Sequence, residues 1–372
     1  MMMAILLPAG LAFCFSLFAV ALNGVTAAWR NDLRSVQSMH MRSTSRFGGL
    51  AVFLACAISM ASGLVVRHPD MVQIFFCALP VLLVGLCEDA GWRVHPYLRL
   101  MAGVVSSSIA IHVSGAVIAR LGFMPLDLAL NHQVIAIGMT ILAVTGVSQS
   151  FNLLDGLHGI CALTSVLIAL SLALIATKGG QVTFAEALVP VATGLMGFLV
   201  LNFPRGLIFL GDAGATCIGF ILAFAAVKLL NRVPDLSPFA LVLVFFWPIA
   251  DTLLAVARRL TCNRQAMRAD RMHFHHVVMR ALEILVLRTR KRAISNPAAT
   301  SILMPLIAMP TFLGVVLWNR NELALTVTLI FAVLFVTAYR MLVLYVQRNW
   351  KVGLFVGGTV SNQGDLLEEP DK

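Results

Sequence analysis

Apolar residues run along this chain in blocks, and short polar segments separate the blocks. A block of about 20 apolar residues is long enough to cross the hydrocarbon core of a bilayer as an α-helix. The pattern predicts eleven transmembrane helices, centred in the windows 4–25, 47–66, 71–86, 100–117, 133–147, 160–176, 185–201, 216–231, 238–257, 299–317 and 322–339. Residues 1–360 are therefore predicted to form one all-α integral membrane domain, and the polar, acidic segment 361–372 a disordered tail.

Composition supports a polytopic membrane protein. Hydrophobic residues make up 59% of the 372 residues and charged residues only 12%, where a soluble domain has about 25%. The mean hydropathy is +0.91. Seven cysteines are scattered singly, which predicts packing residues and no disulfide framework.

Lysine and arginine are distributed unevenly over the predicted loops. With the N-terminus outside and the C-terminus in the cytoplasm, cytoplasmic segments hold 21 of the 27 basic residues. The first window has no basic residue before it and is followed by Arg30 and Arg34, so we interpret it as a membrane helix and not a signal peptide. The net charge of +10 then reflects topology and contact with anionic lipids, not nucleic-acid binding.

Five acidic residues fall at the predicted cytoplasmic ends of spans: Glu88, Asp89, Asp155, Asp212 and Asp251. Each one alone could be a helix-end carboxylate in water. They come from four separate parts of the chain yet share one membrane depth, which predicts a common cavity. The predicted catalytic loops are residues 30–46, 87–99, 147–159, 202–215 and 258–298.

Local sequence around these acids indicates a phosphate and a hard cation. In "FLGDAGATCIGF" (209–220) Asp212 lies between two glycines just before a span, where free backbone N–H groups suit a phosphate. In "FNLLDGLHG" (151–159) Asp155 precedes a glycine that lets the backbone approach a ligand. Carboxylates without Cys or paired His ligands favour Mg²⁺, bound by one or two acids and substrate phosphates.

The segment "RADRMHFHH" (268–276) allows three interpretations: a solvated basic loop, a zinc site and an anion-binding site. On a regular helix His275 would point away from His273 and His276, so a single-face zinc site needs an irregular loop. The apolar and then basic stretch 277–292 is predicted to be an interfacial helix, with a plain cytoplasmic loop as the alternative.

Taken in order, these segments resemble the polyprenyl-phosphate N-acetylhexosamine-1-phosphate transferases, or glycosyltransferase family 4. The similarity runs from "HMRSTSRFGGLAVF" (40–53) to "DRMHFHH" (270–276). It implies an enzyme of the bacterial cytoplasmic (inner) membrane, with its active site facing the cytoplasm, that starts lipid-linked glycan synthesis. Such an enzyme moves an N-acetylhexosamine-1-phosphate from a UDP-sugar to undecaprenyl or another polyprenyl phosphate and releases UMP. The family's eleven-span, N-out arrangement agrees with the charge distribution.

The resemblance also implies roles for residues and for a Mg²⁺ cofactor that Mn²⁺ can replace. Asp212 resembles the principal metal ligand, with Asp155 beside it, and Asp89 with Glu88 resembles the family's acidic pair. The predicted catalytic residues are Asp89, Glu88 and Asp155. A UDP-sugar carries two charges on its pyrophosphate, and each charge-assisted hydrogen bond to it contributes about 1.5–3 kcal/mol, which favours the anion-binding interpretation. The predicted substrate-binding residues are Asn152, Arg46, Asp251, Arg258, Arg271, His273, His275 and His276.

Several positions depart from the family pattern. The acidic pair reads Glu88-Asp89 where two aspartates are usual, and His158 stands where a second aspartate often follows "DG". Gln149, Ala215, Ser43 and Ser45 are further departures. Because Asp212, Asp155, Asp89 and Asn152 are retained, we predict an active enzyme.

Two other functions stay open. A transporter of phosphorylated sugars or lipids would place charges near the bilayer midplane and show an inverted repeat, neither of which is evident. An inactive family member in a glycan assembly complex would explain the departures. The partners predicted for the enzyme are the UDP-sugar, the polyprenyl phosphate and membrane lipids; a homodimer is compatible with the sequence.

Overall fold

The computed structural model describes residues 2–22, 44–64, 68–261, 272–287 and 292–356. These residues are helical nearly throughout, and the extended pairing among them is one isolated parallel bridge between Ser45 and Ile208. The helices are α1 Met2–Ala21, α2 Gly48–Ala61, α3 Pro69–Cys77, α4 Leu79–Asp89, α5 Pro96–Ser114, α6 Met124–Leu130, α7 Gln133–Leu154, α8 Ile160–Lys178, α9 Val182–Asn202, α10 Gly211–Arg232, α11 Pro238–Val244, α12 Phe246–Thr261, α13 Phe274–Leu285, α14 Arg292–Val316 and α15 Asn321–Val356.

The all-α class and the multi-pass character agree with the sequence. Among the described residues, seven helices are long and apolar enough to cross a membrane, or up to nine if each of two bent pairs forms one span. The bends are 42° between α3 and α4 and 82° between α11 and α12. Every predicted window overlaps a helix, but Ile5–Ala21 of α1 and Gly48–Ala61 are shorter apolar helices. The number eleven, the sides of the termini and the division at residue 360 stay predictions.

Helix α10 lies at the centre of the fold, with 94% of its apolar window buried. Small residues in its first turn allow α2 and α4 to approach closely. A Cβ placed on Gly49 of α2 would lie 2.0 Å from Cα of Gly214, and one on Gly85 of α4 would lie 2.4 Å from Cα of Ala213. Glycine at these crossings therefore brings the ends of α2 and α4 against the start of α10.

Helix α13 was predicted as part of an interfacial helix over 277–292. The structure has a helix that begins earlier, at Phe274, and ends at Leu285, while residues 288–291 lie outside the described part of the chain. Its apolar residues Phe274, Val277 and Met279 are buried in a core shared with α14 and α15. The helices α14 and α15 therefore cover this apolar face of α13.

Candidate active site

A carboxylate from another segment, Asp89, holds the first turn of α10. Oδ1 of Asp89 accepts the backbone N–H of Asp212 at 3.0 Å, and Oδ2 accepts that of Ala213 at 2.9 Å. The expectation of free N–H groups for a phosphate was wrong at Asp212 and Ala213, because the Asp89 carboxylate already accepts both.

The geometry of this turn depends on a glycine and on a short backbone pairing. Gly211 has φ +74°, and a Cβ there would lie 2.3 Å from the carbonyl oxygen of Arg46 and 2.5 Å from Oδ2 of Asp89. The segment before α2 runs beside the segment before α10, with Gly48 N–H donating to the Phe209 carbonyl at 3.0 Å. Arg46 is thereby brought next to the acids.

Arg99, which sequence reasoning did not single out, joins two of the acids. Its Nη1 lies 3.1 Å from Oε1 and 3.0 Å from Oε2 of Glu88, and 3.8 Å from Oδ2 of Asp212. Nε2 of Gln149 donates to the Arg99 carbonyl at 3.5 Å. The only signal in the sequence was a basic residue in the first turn of a span beside an acidic pair. Two departures from the family pattern, Glu88 and Gln149, thus meet at one arginine.

Asp155 is buried next to a second negative charge, that of Asp212. Burial and the neighbouring charge of Asp212 raise the pKa of Asp155 to about 7, although Arg46 and the Gly211 backbone oppose the shift. A cation near both carboxylates would favour their ionised forms. Among the described residues, no group of three or more His, Cys, Asp or Glu could hold a metal ion by itself. Two carboxylates suffice for Mg²⁺ when water molecules, and substrate phosphates once they bind, complete its coordination, so Asp155 and Asp212 fit such an ion.

His158, where a second aspartate is frequent in the family, has a different partner here. Its Nδ1 lies 2.9 Å from the carbonyl oxygen of Pro204, and because a carbonyl only accepts, Nδ1 carries the hydrogen. Burial lowers the pKa of His158, although the hydrogen bond to the Pro204 carbonyl opposes the shift. The side chain therefore attaches its own loop to the loop before α10.

The three histidines of the "DRMHFHH" segment form a cluster around Asp251. Oδ2 of Asp251 lies 3.1 Å from Nδ1 of His273 and 3.4 Å from Nδ1 of His275, and Oδ1 accepts the backbone N–H of Phe274 at 2.9 Å. His273 and His275 are 3% and 0% exposed, so the solvated-loop interpretation was wrong for them. The three histidines do not share a regular helix, because His273 is an extended N-cap residue. The ring of His275 lies 5.7 Å from the ring of His273 and 4.2 Å from that of His276.

The histidine cluster and the acidic cluster meet at Gly156. A Cβ on Gly156 would lie 2.8 Å from Nε2 of His275 and 2.7 Å from Cε1 of His276, so only glycine fits beside Asp155 here. Burial lowers the pKa of both histidines, which favours neutral rings near pH 7.

The other predicted residues lie around these clusters. Asn152 is partly buried in the last turn of α7. Arg258 donates to the Met272 carbonyl at 3.1 Å and to the Tyr339 hydroxyl, which joins α12 to the histidine segment and to α15. Arg271 lies outside the described residues.

This arrangement defines a multi-pass membrane protein with a carboxylate site at the end of its central helix. Residues 71–230 match glycosyl transferase family 4. The decaprenyl-phosphate N-acetylglucosaminephosphotransferase of Mycobacterium leprae (strain TN) is 30% identical over 298 residues, which cover 70% of this chain and 73% of that protein. The chain belongs to glycosyl transferase family 4.

Two further relatives extend the comparison. The enzyme of the same name from Mycobacterium tuberculosis (strain ATCC 25618 / H37Rv) is 30% identical over 274 residues, covering 64% of this chain and 66% of that protein. The probable undecaprenyl-phosphate N-acetylglucosaminyl 1-phosphate transferase of Bacillus subtilis (strain 168) is 25% identical over 253 residues, covering 67% and 69%. The match to the Mycobacterium tuberculosis relative thus spans about two thirds of its length.

Proposed function

We propose that this protein transfers an N-acetylhexosamine-1-phosphate from a UDP-sugar to a polyprenyl phosphate and releases UMP. The names of its relatives support N-acetylglucosamine as the sugar and deca- or undecaprenyl phosphate as the acceptor. The observation that carries the proposal is the meeting of Asp155 and Asp212 at the start of α10, with Arg46 and Arg99 beside them.

Asp212 and Asp155 are the proposed ligands of Mg²⁺, or of Mn²⁺ in its place. Both offer hard carboxylate oxygens, and the raised pKa of Asp155 reflects negative charge that a cation would offset. When bound, the ion would offset charge on the donor's pyrophosphate and stabilise UMP as the leaving group. The fully buried Asp89 has a positioning role in this scheme, since both of its oxygens accept backbone N–H groups that orient Asp212.

The proposed reaction is a displacement at phosphorus. An oxygen of the acceptor's phosphate forms a bond to the donor phosphorus that carries the sugar. The bond from that phosphorus to the bridging oxygen breaks, and the bridging oxygen leaves with UMP. The acceptor phosphate has a second pKa near 6, so most of it is dianionic at neutral pH and the nucleophile needs no strong base from the protein.

The histidine segment is proposed to bind the donor next to the Asp155 loop. His276, unlike its two buried neighbours, is partly exposed, so it is the member placed to meet a ligand. Asp251 holds His273 and the start of α13, which positions His276 over Gly156. A neutral imidazole still offers one N–H donor, and Arg271 remains a predicted source of charge.

The site is proposed to face the cytoplasm at the inner membrane, because the basic residues predict that side for Arg46, Arg99 and the histidine segment. Cysteines introduced at Asn263 and at Asp235, in a background without the native cysteines, test this orientation. An impermeant thiol reagent added outside intact cells should label the residue-235 variant alone. Labelling of both variants from outside would contradict the orientation.

The activity itself is tested with the purified full-length chain. We expect UMP release when the protein is incubated with Mg²⁺, undecaprenyl phosphate and UDP-N-acetylglucosamine, one member of a panel of UDP-sugars. Omission of the acceptor and the Asp212→Asn variant are the controls, and both should abolish release. No UMP with any donor would contradict the proposed function and favour a transporter or an inactive family member.

A further inference from the structure

Two side chains in the first turns of α14 hydrogen-bond to the backbone of the Asp155 loop. Oδ1 of Asn296 accepts the N–H of His158 at 2.7 Å, and the hydroxyl of Thr300 donates to the carbonyl of His158 at 2.8 Å. Asn296 is 2% exposed and Thr300 0%, so water does not compete for either bond. Being four residues apart, the two side chains lie on one face of the helix.

A third buried residue completes the support of the loop. Oδ1 of Asn202 accepts the N–H of Gly159 at 2.7 Å, while its Nδ2 donates to the carbonyl of Ile208 at 2.6 Å. Three successive backbone groups are thus fixed within four residues of Asp155. Asn202 also reaches the segment that leads into Asp212, so the loop and the start of α10 share one support.

Asn296 and Thr300 are distant in sequence from both carboxylates and lie outside the region 71–230 that matches the family. Their hydrogen bonds go to the backbone of His158, not to its ring, so the identity of that side chain does not affect them. A hydrogen bond to each side of the same residue holds this part of the loop to α14. The position of the Asp155 carboxylate then depends on α14.

We propose that Asn296 and Thr300 are positioning residues that set the place of the Asp155 carboxylate relative to Asp212. The inference rests on the proposed function, in which these two carboxylates hold a divalent cation. Residues that orient metal ligands typically affect metal affinity by about 10- to 100-fold. Because Asn296 and Thr300 act through the backbone, we expect the lower end of that range.

The test compares variants of Thr300 in the purified full-length protein. Thr300→Val keeps the shape of the side chain and removes the hydroxyl, whereas Thr300→Ser keeps the hydroxyl. We expect Thr300→Val to raise the Kd for Mn²⁺ about tenfold, measured without substrates by electron paramagnetic resonance of the free ion. Thr300→Ser should bind Mn²⁺ like the wild type. In the UMP-release assay, Thr300→Val should raise the Mg²⁺ concentration for half-maximal rate and leave the KM for the acceptor unchanged.

Ser295 provides a matched control on the same helix. It is as buried as Thr300, but its hydroxyl donates to Oε1 of Glu283 on α13 at 2.8 Å. Ser295→Ala therefore removes a comparable hydrogen bond and should leave the Mn²⁺ affinity unchanged. Asn296→Ala, as a second variant, should repeat the effect of Thr300→Val.

The outcomes separate this inference from the proposed function. A folded Thr300→Val protein with wild-type Mn²⁺ affinity would overturn the positioning role alone. Equal losses in Thr300→Val and Ser295→Ala would also overturn it, since they would reflect general destabilisation. A wild-type protein that binds no Mn²⁺ and releases no UMP would overturn the proposed function together with the inference.

Discussion

The two ends of α10 both carry buried charge, and they differ in how that charge is balanced. At the N-terminal end, Glu88, Asp89, Asp155 and Asp212 lie together. Among the described residues, Arg46 and Arg99 are the basic side chains that act on this group. Carboxylates outnumber arginines there, and the raised pKa of Asp155 is one consequence.

At the C-terminal end, a single acid has two basic partners. Oδ1 of Asp70 lies 3.0 Å from Nζ of Lys228, and Oδ2 lies 2.6 Å from Nη2 of Arg232. Nδ1 of His68 accepts the backbone N–H of Asp70 at 3.2 Å and caps α3. Both oxygens of the buried acid are thus paired with cations, and the contacts join α3 to the end of α10.

The difference shows why burial of charge is not by itself the sign of a site. A buried acid that is paired on both oxygens stabilises the packing of two helices. A group of acids with too few basic partners is stabilised when a cation arrives, and a substrate can bring one. The four predictions that follow test this contrast.

The largest effect is expected from Asp212→Asn. The amide keeps the shape but loses the charge that a divalent cation requires, so UMP release should fall more than about 100-fold. The metal-free protein should be as stable as the wild type or more so, because one of four like charges is gone. Activity above about a tenth of wild type at saturating Mg²⁺ would remove Asp212 from the role of main ligand.

The next effect is the pH dependence of metal binding at the N-terminal end of α10. Because the pKa of Asp155 is raised to about 7, each unit below pH 7 should weaken the apparent Mg²⁺ affinity by up to about tenfold, with little change above pH 7. Without metal, the favourable contribution of protonated Asp155 to stability should be lost as pH rises through 7. Mn²⁺ titrations between pH 5.5 and 8 measure the slope. An equal slope in Asp155→Asn would contradict the assignment to this residue.

At the C-terminal end of α10, loss of the acid should lower stability and leave activity unchanged. Asp70→Asn leaves Lys228 and Arg232 without their carboxylate, which should lower the free energy of unfolding by about 3 kcal/mol. That is the lower end for a buried pair, because the Arg232 side chain is 36% exposed. The rate per folded molecule should stay unchanged. A thermal melt and a UMP assay on the monodisperse fraction measure both quantities; lost activity with unchanged stability would place Asp70 in the site.

The smallest effect is expected when an acid is added near the N-terminal end of α10, at position 158. His158→Asp puts an ionised carboxylate, which cannot donate, against the Pro204 carbonyl. The lost hydrogen bond, about 1 kcal/mol, should lower the rate about fivefold. His158→Asn keeps an N–H donor and should be closer to wild type. A faster His158→Asp enzyme would show that the site accommodates a further acid.

Much of the fold followed from local sequence. Block length predicted the helical membrane architecture, and the acids at block ends predicted which side chains would gather. Asp155 and Asp212 do come close, because α7 and α10 pack against each other. The contacts that the sequence did not predict join residues distant in the chain. They are those of Arg99 with Glu88, of Asn296 with the backbone of His158, and of Lys228 with Asp70.

The sequence by itself thus determined the membrane architecture and the chemical type of the candidate site, because hydrophobic length and residue chemistry are properties of neighbouring positions. Only the tertiary structure decided that Asp89 holds the start of α10, that Asp251 buries the histidines against Gly156, and that Asp70 is neutralised. Those outcomes depend on hydrogen bonds of about 3 Å between segments as many as 162 residues apart. No local pattern records such distances, since helix packing alone brings these atoms together.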